Sequence, residues 1–111
     1  MIQVRLLSNA IQLDTSSVTA GTLTFEVTNA ADNNMKHELV VLKTDLAADR
    51  LPVKNEQVLE CRFKKMGEAE DVAPGASKRL TLKLSPGHYV LICNKAGHYS
   101  QGMHTALLVT R

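Results

Sequence analysis

Aromatic side chains are scarce: the 111 residues include no tryptophan, two tyrosines and two phenylalanines. A protein that stacks on nucleic-acid bases needs more than this. Charge of one sign is also lacking. The net charge of +2 is spread along the chain, and Arg62, Lys64 and Lys65 form the densest basic stretch, too small for a phosphate-binding surface. No run approaches the roughly 20 apolar residues of a membrane-spanning helix. Residues 1–20 do not show the charged-then-apolar order of a secretory signal, so any leader or anchor is expected ahead of Met1. No internal repeat, low-complexity tract or linker is present, and the length suits one core, so a single domain over residues 1–111 is expected.

What is there is a set of short apolar segments. Ile2-Val4-Leu6, Leu23-Phe25-Val27 and Leu80-Leu82-Leu84 alternate with polar residues, the period of a half-buried strand. Leu39 to Leu42, Tyr89 to Ile92 and Ala106 to Val109 are continuous runs rich in branched residues, as in strands buried on both faces. Asn29 to Asn34, Ala73-Pro74-Gly75 and Ser85-Pro86-Gly87 carry turn chemistry between them. The pattern predicts an all-β antiparallel sandwich. From Thr44 to Val72 the alternation lapses, and Leu59, Phe63 and Met66 recur at helical spacing. A short helical insertion around residues 45–66 is therefore expected, with Asp45 and Asn55 as candidate caps.

The two cysteines differ in context. Cys61 lies between Glu60 and Arg62, whereas Cys93 ends an apolar run and opens Cys93-Asn94-Lys95-Ala96-Gly97-His98-Tyr99-Ser100-Gln101-Gly102-Met103. Cysteine, histidine and methionine are each separated by four residues, and a glycine precedes both the histidine and the methionine. Such a loop can turn three side chains toward one point. Thiolate, imidazole and thioether are the donors expected for copper that cycles between two oxidation states, and a second imidazole would complete a trigonal plane with a weak axial methionine. His37, which opens the run Leu39 to Leu42 after an Asn-rich loop, is the best candidate for it. One ligand from a strand and three from a short loop would hold the donors nearly still as the electron arrives.

Each of these residues also has a plainer reading. A histidine at a strand start is most often a satisfied surface or core residue, a cysteine at a strand end a small buried hydrophobe, and a methionine core filling. Four such coincidences at set spacing argue against that reading. His88, at the far end of its strand, is expected to be solvated, and His104 should point away from Met103. Cys61 is expected as a free surface thiol. Met35 and Met66 read as packing residues, Met35 bordering the site.

Gly87-His88-Tyr89-Val90-Leu91-Ile92-Cys93, running on to Gly97-His98-Tyr99 and Gly102-Met103, resembles the copper loop of the cupredoxins, the plastocyanin/azurin-type blue copper proteins. The four-and-four spacing is most similar to rusticyanin-like members, and His37-Glu38-Leu39-Val40-Val41 resembles their upstream ligand strand. The resemblance implies a Greek-key β-sandwich and a type 1 copper site of His37, Cys93, His98 and Met103. It also implies a one-electron carrier, not an enzyme, with His98 near the surface as the electron's exit. Partners would be redox proteins such as c-type cytochromes or oxidases, docking weakly as to a monomer through a patch of Ala96, Tyr99 and Met35. The same likeness implies a periplasmic location. A copper-handling role in homeostasis or resistance is the alternative. A copper nitrite reductase would need a second domain, and a two-copper oxidase subunit a second cysteine in the loop.

Two positions depart from the family pattern. Ala96 stands where a proline often precedes the glycine. Glu38 stands where relatives place an asparagine that braces the cysteine loop. Glu38 is accordingly expected to hydrogen-bond near Asn94 and to lower the reduction potential.

Overall fold

The alternating segments form strands with one face inward. The computed structural model describes residues 1–30 and 35–111. Most of the expected turn from Asn29 to Asn34 therefore lies outside the described residues. One sheet has the order β2 (Ile11–Leu13), β1 (Ile2–Leu6), β4 (Gly21–Asn29) and β9 (Ser77–Leu84). The other has the order β3 (Ser17–Thr19), β11 (His104–Thr110), β10 (Gly87–Ile92), β5 (His37–Lys43) and β8 (Lys64–Val72). A third, two-stranded ribbon pairs β6 (Val53–Lys54) with β7 (Gln57–Val58).

The expectation of a purely antiparallel sandwich needs one correction. β1 runs parallel to β4, and β11 parallel to β3, so both large sheets are mixed. The crossovers of a Greek key produce this: β9 returns to the first sheet between β8 and β10 of the second.

Between the sheets lies the main core. Ile2, Val4, Leu6, Phe25, Val27 and Leu84 meet Leu39, Val41, Tyr89, Leu91, Leu107 and Val109 there. Each such side chain removed from water contributes about 1.5–3 kcal/mol. Tyr89 also fixes the turn beneath it, its hydroxyl donating to the carbonyl of Ser85 at 2.7 Å. That bond back across the strand start is a tyrosine corner.

β5 and β10 are apolar on both faces because the second sheet is covered outside as well. Val40, Leu42, Val90 and Ile92 point away from the main core and are buried with Leu51, Val58 and Tyr99. The cover is the segment between β5 and β8. It is not the expected helical insertion around residues 45–66: it holds the β6–β7 ribbon and one 3-10 turn, Glu60–Arg62, and Met66 already lies in β8. Asp45 caps nothing helical, since Leu46 N donates to Thr44 Oγ1. Asn55 sits at positive φ in the ribbon's turn. The spacing of Leu59, Phe63 and Met66 misled: in the turn and strand that form instead, Phe63 packs against the outer cluster and Met66 against the main core, so the three share no one face.

Candidate metal centre

Three chain segments bring the donors to one end of the sandwich. His37 is the first residue of β5, on the same inward face as Leu39 and Val41. A bulge in β8 opposite it, where His37 pairs with Val72 but Leu39 with Ala69, bends the ladder at this end, as bulges beside functional sites do. Cys93 continues the inward row of Tyr89 and Leu91 just past β10. Its amide donates to the carbonyl of Met103 at 3.1 Å, so the loop between them closes on itself. Within that loop His98 precedes the 3-10 turn Tyr99–Gln101, and Gly97 and Gly102 hold φ of +80° and +112°.

The ligand-type atoms of His37, Cys93 and His98 all lie within 4.8 Å of one another. His37 Nδ1 and His98 Nδ1 are 3.1 Å apart, and Cys93 Sγ stands 3.6 Å from the first and 3.4 Å from the second. A triangle with these sides has its centre about 2.0 Å from each corner, close to the ~2.0–2.1 Å and ~2.3 Å at which zinc, a comparable first-row metal, holds imidazole and thiolate. Met103, fully buried, joins the same core cluster as Cys93. Exposure is 2% at His37, 0% at Cys93 and 6% at His98, so water is nearly excluded. The donor set fits one copper ion.

Electrostatics favour donors that hold no proton on the imidazoles. Burial lowers the pKa of His37, helped by the charges of His98 and Lys95, and burial with Lys95 lowers that of His98. The Cys93 thiol is pushed up by burial, partly offset by the backbone amides of Glu38 and Lys95. The Glu38 amide points at the sulfur from 3.4 Å. A bound cation would draw the proton from the thiol and use these amides to support the thiolate.

Around this centre several expectations change. Glu38 is not the partner of Asn94: the Asn94 side chain bonds to Val58 and Glu60 instead. Glu38 is half-buried, and its carboxyl pKa is raised by burial foremost, with Glu60, Glu68 and Glu70 adding to the rise against Lys95. Tyr99 does not belong to an exposed patch, being 5% exposed with its hydroxyl held by Ala48 and Leu51. His88 is not simply solvated; its Nδ1 lies 2.6 Å from the carbonyl of Thr44. His104 stays out of the centre and packs its ring against Tyr99. Ala96 and Met35 are exposed at this end, Cys61 is an exposed free thiol, and Met66 packs against the core. The role of Asn94 had no signal in the spacing, because its partners belong to a segment without a clear pattern.

No helix among the described residues is long and apolar enough to cross a membrane. No curated protein matches the chain. Among solved structures, auracyanin from Roseiflexus castenholzii shares 20% identity at a TM-score of 0.65, over 98% of this chain and 95% of that one. Auracyanin A of Chloroflexus aurantiacus, described as a "blue" copper protein, shares 21% at 0.66, over 98% and 97%. Rusticyanin from Thiobacillus ferrooxidans shares 14% at 0.69, over 98% and 75%. These likenesses bear on the fold. The family model for copper binding proteins of the plastocyanin/azurin family matches residues 2–110, and the chain belongs to that family.

Proposed function

We propose that the protein is a type 1 copper protein that carries single electrons between redox partners, with His37, Cys93, His98 and Met103 as the ligands. The observation that carries this reading is the convergence of two imidazoles and a thiol within 4.8 Å of one another in a nearly dry site. Bound copper supplies the one-electron couple. The protein's part is to keep the donors where they are in both oxidation states, because each ångström of ligand movement would add to the barrier for transfer. His37 and Cys93 are fixed by neighbouring strands of one sheet, and the short loop fixes His98 and Met103 relative to Cys93. The amide of Glu38 supports charge on the sulfur.

His98, from the surface loop, offers the shortest route to a partner. Electron transfer calls for brief encounters, so the docking surface is small. It lies around His98, with the exposed Ala96 and Met35 nearby. The partners proposed are redox proteins such as c-type cytochromes or terminal oxidases, and the compartment is the periplasm.

Addition of Cu(II) to the purified protein tests the reading. An intense thiolate-to-copper charge-transfer band in the visible is expected, together with a reversible one-electron wave in voltammetry over repeated cycles. Absence of the band would remove the ligand set. A band followed by loss of copper on the first reduction would remove the carrier role.

A further inference from the structure

The loop bearing Cys93 and His98 is gripped from outside the sandwich. Asn94, one position after the thiol and 4% exposed, turns its amide toward β7. Its Oδ1 accepts from Val58 N at 2.7 Å, and its Nδ2 donates to Val58 O at 3.1 Å and to Glu60 Oε2 at 2.6 Å. The side chain thus pairs with Val58 in both directions, as a neighbouring strand would. Gln57 Nε2 donates to the backbone carbonyl of Asn94 at 2.9 Å.

The ribbon's turn adds a second grip. Asn55 and Glu56 stand at φ of 54° and 65°, the left-handed pair a two-residue hairpin turn requires. Glutamate is an unfavourable choice there, yet the conformation aims its carbonyl at the copper loop, where Gly97 N donates to it at 2.8 Å. Farther along, Tyr99 OH donates to Ala48 O at 2.6 Å and accepts from Leu51 N at 3.0 Å. Contacts at 97 and 99 therefore bracket His98, and those at 94 adjoin Cys93. On the opposite flank Lys95 pairs with Asp71 at 3.1 Å, a residue of the β8 bulge.

We propose that Asn94 is the positioning residue of the metal centre, and that Gln57, Glu60 and the Asn55-Glu56 turn form a clamp holding Cys93 and His98 in register with or without metal. The inference rests on reading His37, Cys93, His98 and Met103 as the ligands. It accounts for Glu38: with the loop held from the 56–60 segment, the residue after the upstream histidine has no bracing to do. Partners one step behind a ligand set its orientation, and their loss typically weakens metal binding about 10–100-fold.

The test compares Glu60→Ala, Gln57→Ala and their combination with Glu60→Gln, which keeps an acceptor oxygen for Asn94. Gln57 is exposed and Glu60 only half-buried, so these variants should fold where Asn94→Ala could fail. Three quantities are read: release of copper to excess chelator, the position and intensity of the charge-transfer band, and hydrogen exchange of the Gly97 amide in metal-free protein. The double variant should release copper about 10–100-fold faster, shift the band and expose the Gly97 amide, while Glu60→Gln stays near the parent. Unchanged release and an unchanged band in the double variant, beside a parent that binds copper normally, would overturn the clamp and leave the ligand set standing. Faster Gly97 exchange without faster release would also overturn it, by reducing the contacts to a purely structural bridge. A parent protein with no charge-transfer band would overturn both.

Discussion

His37 Nδ1 and His98 Nδ1 face each other at 3.1 Å although 61 positions separate them in the chain. Two neutral imidazoles can satisfy this contact only if one donates its Nδ1 proton to the other. Burial lowers both pKa values, so a doubly protonated pair is disfavoured, and the thiol of Cys93 crowds the same point. A cation lets both nitrogens and the sulfur present lone pairs at once. The arrangement is therefore better satisfied loaded than empty.

Copper loading should raise folding stability accordingly. A ligand that binds only the folded state adds about 4 kcal/mol when its free concentration is about 1,000 times Kd. Thermal unfolding with and without copper measures this. Cys93→Ser should lose most of the rise, and an equal rise in that variant would argue that the metal binds elsewhere.

Cys93→Ala should abolish the charge-transfer band while Cys61→Ala leaves it intact. The first thiol is fully buried beside the two histidines, and the second is exposed on the 3-10 turn. Absorption spectra of the two copper-treated variants decide the matter, and loss of colour in both would contradict the assignment.

Glu38→Gln should raise the reduction potential, since a carboxylate one position from His37 favours Cu(II) over Cu(I). Half-burial limits the solvent screening of that charge, and because burial and the acidic neighbours raise the carboxyl pKa, the effect is expected at a pH where the group is ionised. Voltammetry of the variant reads the shift, and an unchanged potential rejects the effect.

The meeting of His37, Cys93 and His98 was legible in the sequence because they are rare residue types at telling positions: Cys93 and His98 share one loop with Met103, the proposed fourth ligand, and the strand pattern carries His37 to the same end. The sandwich was legible for a similar reason, since alternation in Ile2-Val4-Leu6 and the unbroken run Tyr89 to Ile92 distinguish one-faced from two-faced burial. What covers the second face of Tyr89 to Ile92 was not. Residues 44–63 bury Leu51 and Val58 by tertiary contact, with no period to reveal it, so Leu59, Phe63 and Met66 read as a helix. The parallel pairing of β1 with β4 leaves no trace in either strand's own pattern. Asn94 was paired with Glu38 rather than with Val58 and Glu60 because a side chain's partner across 36 positions is fixed only by the folded chain.

Leu42→Ala tests that second core. Leu42 belongs to the outer cluster yet is fully buried, so the substitution should cost about 2–5 kcal/mol, the range for a large-to-small change in a packed interior. Urea unfolding of the metal-free protein measures it. A cost of a few tenths would mean that residues 44–63 open readily from the sheet.

Gly97→Ala and Gly102→Ala should separate backbone strain from steric collision. Both glycines hold positive φ, +80° and +112°, where a side chain is strained by about 1–3 kcal/mol. A Cβ at Gly97 would meet nothing within 4 Å, whereas one at Gly102 would sit 2.5 Å from the backbone carbonyl oxygen of Asn9. Gly97→Ala should therefore lower stability by strain alone and leave the spectrum close to the parent. Gly102→Ala must push the loop away from Asn9, and Met103 moves with it. Because a weak axial donor tunes the copper centre, that variant should shift the charge-transfer band and the potential as well as losing more stability. Equal unfolding midpoints and equal spectra for the two variants would show that the approach of Asn9 to Gly102 is not constraining the loop.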